Sequence, residues 1–80
     1  HLKFIGKTSE GNYVVRGYDV FKLVETLGIP LEVVLEYFKQ HGYTVDWFGF
    51  LISSIDHDWK VSSTLIKIST AVTDVYGREH

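Results

Sequence analysis

Asp56-His57-Asp58 sets two carboxylates beside an imidazole, donor types that bind a divalent cation, and Ser53 stands four residues ahead of His57, where a hydroxyl and a base share a helix face. Neither group reads as a site. Adjacent residues seldom face one ion together, and no second His, Asp or Glu pair at ligand spacing joins them, so no metal is expected. Ser53 with His57 and an acid from Asp46, Asp56 or Asp58 would need a strained turn and oxyanion donors, which the surrounding residues do not supply. Gly6 and Gly11 do not make a phosphate-cradling loop, and no Gly-Lys-Ser/Thr follows them. Glu32 and Glu36, four apart and near Lys22 and Lys39, read as a solvated helix face. No catalytic residue, cofactor or small-molecule substrate is assigned.

Two sets of residues fit contact with a macromolecule. Lys3, Lys7, Arg16 and Lys22 are interleaved with Phe4, Tyr13 and Tyr18, a pattern that could meet phosphates with the cations and stack bases on the tyrosines. Trp47, Trp59, Tyr37 and Tyr43, with Phe48 among them, are more large rings than a small domain easily hides on one side, and exposed aromatics anchor protein interfaces. The bland alternative for both sets is that a small core uses large side chains to fill volume. Eight Lys+Arg against ten Asp+Glu give a formal charge of -2, which weighs mildly against nucleic acid.

These residues need a scaffold, and 80 residues provide a single domain near the lower limit of self-sufficient size. Hydrophobic residues make up 45% of the chain and aromatics 15%, enough for a core without staples. There is no cysteine, hence no disulfide framework, and no apolar run long enough to span a bilayer; the setting expected is cytoplasmic, away from membranes. Leu2 to Ile5 and Tyr13 to Arg16 flank the turn-forming Thr8-Ser9-Glu10-Gly11-Asn12, which predicts a β-hairpin laying Phe4 with Val14 or Tyr13 on the rest.

The remainder reads as helical. Asp19 is placed to cap a first helix with Val20, Leu23, Val24 and Leu27 inward and Gly28 as its stop. Pro30 opens a second, with Leu31, Val34, Leu35 and Phe38 inward and Gly42 at its end; the short link predicts that the two form a packed hairpin. Asp46 caps a third helix carrying Trp47, Phe48, Leu51, Ile52 and Ile55, in which Gly49 permits a close helix contact. Ser62 or Ser63 starts a fourth, with Leu65, Ile68, Val72, Val75 and Tyr76 along one stripe and Gly77 as the stop. The fold class expected is mainly α (α+β): a small bundle of about four helices over residues 17–80 behind an N-terminal β-hairpin over residues 1–16.

Within this pattern, Phe21, Leu23, Thr26, Gly28, Pro30, Val45, Asp46, Gly49 and Phe50 carry a likeness. Their spacing resembles that of alanyl-tRNA synthetases, where an Ala/Val-Phe-x-Leu helix runs into an acidic-Thr-x-Gly-aromatic-Pro turn, a second helix and a Val-Asp-x-x-Gly-Phe element. The likeness covers residues 17–51 and implies the helical tRNA-recognition region of that family. The aromatic and acidic positions of the family's turn are replaced here by Val24, Glu25, Leu27 and Ile29. The class II motifs for ATP and alanine and the metal-binding editing motif have no counterpart, so the resemblance implies neither alanylation nor editing.

The function expected is a non-catalytic binding or regulatory module. Protein–protein interaction, with a partner or with itself, leads, on the acidic balance and the surplus aromatics. A module for the tRNA acceptor stem or other RNA is the alternative, a small inhibitory protein of a virus or mobile element is the second, and a small hydrolase comes last.

Overall fold

The computed structural model describes residues 2–77. Seven elements follow in order: strands β1 (Phe4–Lys7) and β2 (Tyr13–Val15), helices α1 (Gly17–Glu25) and α2 (Leu31–His41), strand β3 (Tyr43–Val45), and helices α3 (Trp47–Asp56) and α4 (Val61–Tyr76). The four helices and the N-terminal hairpin agree with the mixed, mainly helical class that the sequence predicts. The third strand does not appear in that reading.

Gly11, at φ 90°, reverses the hairpin, and the Thr8 hydroxyl accepts the Asn12 N–H at 3.1 Å. β1 and β2 pair antiparallel, Phe4 opposite Val15 and Lys7 opposite Tyr13, with an irregularity between Phe4 and Gly6. β3 then lies parallel to β2, Tyr13 opposite Tyr43 and Val15 opposite Val45, completing the order β1-β2-β3. A parallel pair needs a crossover between its strands, and α1 with α2 provides it. The hairpin does not bury Phe4, Tyr13 or Val14 as expected. Val15 is its only fully buried residue, because the ladder with Val45 carries that position into the core.

Asp19 does not cap α1. The helix starts two residues earlier, with Arg16 at the cap, and Asp19 lies buried in its first turn. At the other end Gly28 takes φ 69° and the Ile29 N–H donates to the Leu23 carbonyl at 3.1 Å, six residues back, closing the turn as a left-handed glycine stop should. Leu27, expected inside, is exposed there. Pro30 precedes the first turn of α2, Gly42 ends it at φ 72°, and Leu31, Val34, Leu35 and Phe38 are all buried. The expected α1–α2 hairpin is secondary: the two helices touch, but α1 packs chiefly on α3 and α2 on α4.

The α1–α3 crossing explains that preference. A Cβ at Gly17 would collide with backbone atoms of Asp46, Gly49 and Phe50, and one at Gly49 would lie 3.4 Å from the Gly17 Cα. Two glycines thus bring two helix backbones together. The Asp46 carboxylate sits at the start of both helices, accepting the Gly49 N–H at 3.1 Å and the Gly17 N–H at 3.4 Å, where the positive ends of the helix dipoles favour an anion.

α3 presents the opposite face from the one its apolar residues suggest. Phe50, Ser53 and Ser54 are buried, whereas Phe48, Ile52 and Ile55 are exposed and Leu51 is half-buried. Ser54 is satisfied locally, its hydroxyl donating to the Leu51 carbonyl at 2.7 Å, so its burial leaves no orphan. In α4 the inner stripe runs through Thr64, Ala71 and Val75, with Ile68, Val72 and Tyr76 partly covered; Leu65 faces outward. Asp58, at φ 66°, forms the turn between α3 and α4, and the Trp59 N–H reaches the Ser54 carbonyl at 2.9 Å.

Candidate functional site

Three of the four cations, Lys7, Arg16 and Lys22, are brought against the tyrosines interleaved with them. Tyr18 stands at the second position of α1, and two cations lie close to its exposed ring: Arg16, whose guanidinium carbon is 5.2 Å from the ring centroid, and Lys22, whose Nζ is 5.4 Å away. Lys22 reaches back one helical turn to do this. A hollow of about 420 Å³ opens here, walled by Arg16, Tyr18, Asp19, Lys22, Leu23 and the Thr26–Leu27 turn. Lys7 makes a second such pair on the hairpin, 5.1 Å from the centroid of Tyr13. Cations held over ring faces gain about 0.5–1 kcal/mol at exposed sites, which orders both partners without withdrawing either from solvent.

Asp19 organises the first cluster. Its Oδ1 accepts from Arg16 at 2.7 Å and its Oδ2 accepts the Lys3 N–H at 2.8 Å, tying the entry of β1 to α1. Burial pushes the Asp19 carboxyl up, but the Arg16 hydrogen bond, the Lys3 amide and the charge of Arg16 outweigh it and hold the group below the ordinary carboxylate range. The hydrogen bond to Asp19 raises Arg16 in turn. Among the described residues, Arg16 Nε is the one buried side-chain nitrogen or oxygen without a hydrogen-bond partner.

The first 24 residues hold four cations, Lys3, Lys7, Arg16 and Lys22, against Glu10 and Asp19. With Glu25, the last residue of α1, included, the hairpin and α1 carry four cations against three carboxylates in a chain that is acidic as a whole. The grouping is already visible in the order of the residues, and the structure adds the ring on which each of Lys7, Arg16 and Lys22 sits.

The four aromatics singled out for a protein interface separate. Trp47 and Trp59 are partly buried against the core, Trp47 edge-on to Phe50 at 5.6 Å and Trp59 edge-on to Phe21 at 4.8 Å. Tyr37 and Tyr43 join Phe4, Tyr13 and His41 in a chain of ring contacts along the end of α2 and the sheet: Phe4 to Tyr13 at 5.2 Å, Phe4 to Tyr43 at 5.0 Å, and Tyr37 stacked on His41 at 4.0 Å. Tyr13 therefore belongs to the same ring series as Tyr37 and Tyr43, a grouping that the parallel β2–β3 register creates. Beside it, Leu2, Leu23, Ile29, Val33, Val34 and the rings of Tyr37 and Phe38 line an apolar groove of about 310 Å³.

Ser53 and His57 are close but are not arranged for nucleophilic attack. The His57 Nδ1 lies 2.9 Å from the Ser53 carbonyl oxygen, an acceptor, so that nitrogen carries the proton and caps the helix end. The ring also packs 4.9 Å from Phe21. Among the described residues no three His, Cys, Asp or Glu side chains stand where they could share an ion, and no helix is long and apolar enough to cross a membrane.

Comparison with known proteins gives one consistent family. The alanine–tRNA ligase of Listeria welshimeri is 45% identical over 49 residues, 61% of this chain and 5% of that enzyme. That of Streptococcus gordonii is 34% identical over 59 residues, 74% of this chain and 7% of the enzyme, and that of Acholeplasma laidlawii 53% over 34 residues, 42% and 4%. No protein-family model and no solved structure matches. The nine residues that carry the resemblance serve the scaffold where their role is visible: Phe21, Val45 and Phe50 in the core, Gly28 and Pro30 in the turn, Asp46 and Gly49 at the helix crossing. The chain thus carries an alanyl-tRNA synthetase-like segment, homologous to a short stretch of a much longer enzyme whose length it spans by about 5%.

Proposed function

We propose that the chain is a non-catalytic RNA-contacting module, with tRNA as the class of RNA it meets, acting in the cytoplasm through the hairpin and α1. The observation that carries this reading is the exposed Tyr18 ring with Arg16 and Lys22 both close to it, and Lys7 on Tyr13. Cations held on exposed rings keep donors free for phosphates, the tyrosines can exchange a cation for a stacked base, and ordering both beforehand lowers the entropic cost of binding. The relatives' name, alanine–tRNA ligase, makes tRNA the first RNA to test. The overall charge of -2 suits a contact confined to one patch better than diffuse attraction.

The test is titration of labelled tRNA at several salt concentrations. Roughly three to four phosphate contacts predict a log–log slope of about -3, and Lys7→Ala or Lys22→Ala each reduces it by about 1. Tyr18→Ala weakens binding by about 1–2 kcal/mol at every salt concentration and leaves the slope unchanged. Absence of binding at low salt, or binding that ignores salt, rejects the reading. A second reading, protein docking, is favoured by a separate observation, the apolar outer face of α3.

A further inference from the structure

The two cation clusters are linked by side chains that belong to more than one surface feature. Leu2 and Leu23 wall both the hollow beside Tyr18 and the apolar groove against α2, so the two adjoin, with Arg16 and Lys22 on the side of the hollow. Tyr37 is a wall of the groove and also the start of the ring series. It lies edge-on to Tyr43 at 6.5 Å, Tyr43 meets Phe4 at 5.0 Å, Phe4 meets Tyr13 at 5.2 Å, and Tyr13 carries Lys7. No charged side chain lines the groove. Phe4, Tyr13 and Tyr37 keep 47%, 45% and 51% of their surface exposed, so these rings do not merely fill the core.

Resting on the RNA contact proposed above, we infer that its ligand class is single-stranded RNA, with unpaired nucleotides laid along this track. Phosphates meet Arg16 and Lys22 at one end and Lys7 at the other, and bases lie in the groove and on the rings of Tyr37 and Phe4. The chemistry of the track selects that occupant. A single strand carries phosphate charge along its backbone and offers the flat face of each base to an aromatic or apolar side chain, so it uses the cations and the rings together. A duplex keeps its base faces stacked in its interior and presents phosphates and base edges, so it engages the cations and leaves the groove and the rings empty. An apolar peptide matches the groove and leaves the cations at both ends without a counterpart. The grouping is a product of the fold, since Tyr13 reaches Tyr43 through the parallel β2–β3 ladder and Leu2 reaches the groove ahead of β1.

Fluorescence anisotropy titration of the full chain with three labelled RNAs tests this: a single strand of about eight nucleotides, the blunt duplex it forms with its complement, and that duplex carrying an unpaired tail of the same length. The single strand and the tailed duplex are expected to bind at least about tenfold more tightly than the blunt duplex. Tyr37→Ala, which removes a stacking ring, and Val33→Glu, which sets a carboxylate in the groove, each bring that ratio towards one, and Tyr37→Phe keeps it. Both positions are about half exposed, and circular dichroism melting of each variant separates lost preference from lost folding. Salt-sensitive binding in which the blunt duplex equals the single strand overturns the track, as does a preference that survives both Tyr37→Ala and Val33→Glu; either result leaves the contact at Arg16, Lys22 and Lys7 standing. Absence of binding to all three RNAs rejects that contact and the track with it.

Discussion

The Asp19 carboxylate is nearly shielded from water and yet ionised, because the Lys3 amide and Arg16 replace the solvent it has lost. As the Arg16 side chain is still 38% exposed, the ion pair alone contributes little, and the weight falls on the amide bond that pins the entry of β1 to α1. A carboxyl whose folded pKa is lowered contributes stability that is complete above its unfolded value, near 3.9, and is lost as pH falls through the folded value. Asp19→Asn is therefore expected to cost about 1–2 kcal/mol at pH 7, with the gap to wild type narrowing in acid as the pH falls below the unfolded value. Urea denaturation at pH 7 and in acid measures it; an equal gap at both would assign the effect to shape and not to ionisation. Sequence reasoning recognised Asp19 as a helix-start residue but gave it the wrong bond, since its partner Lys3, just ahead of β1, lies 16 positions away.

At the scale of elements, α2 was legible throughout, because its four inward residues, its proline and its terminal glycine all act within a few turns. α3 was not. Apolar residues occupy most of its circumference, so periodicity could not choose a face, and the buried side includes small Ser53 and Ser54 while larger residues point outward. β3 was hidden for a different reason: three residues between a helix stop and a helix cap look like a link until β2 arrives beside them. Gly49 was read as a close-contact residue, and the helix it contacts proves to begin at Gly17. Gly17→Ala, which in an open helix would be stabilising by about 1 kcal/mol, is expected here to destabilise by about 2–3 kcal/mol, because the added methyl meets backbone and not a yielding side chain. Thermal melting decides the sign, and a rise in Tm would show that α1 and α3 do not cross at these glycines.

For the molecule as a whole, binding chemistry and scaffold divide between surfaces. The hairpin and α1 gather cations around exposed tyrosines, and α3 turns an uncharged apolar line to solvent. The candidate RNA residues could be named from sequence as a set, and their ring pairings are local, Lys7 with Tyr13 across the β1–β2 ladder and Arg16 and Lys22 with Tyr18 at the start of α1, whereas the candidate protein-interface set divided because its tryptophans are drawn against the core. The parallel join of β2 to β3 has a further consequence for the order in which the chain folds. The β1–β2 hairpin closes over a short turn, within about microseconds, whereas β3 must be delivered across all of α1 and α2; Gly17 and Asp46, which meet beside it, are 29 positions apart. The rate of folding should then be set by that long closure. Val45→Ala, in the last strand to arrive, is expected to slow refolding more than it speeds unfolding in stopped-flow chevrons, and a change confined to the unfolding limb would mean that β3 docks after the barrier. The strand that is least visible in the sequence is in this sense the one that governs how fast the native state is reached.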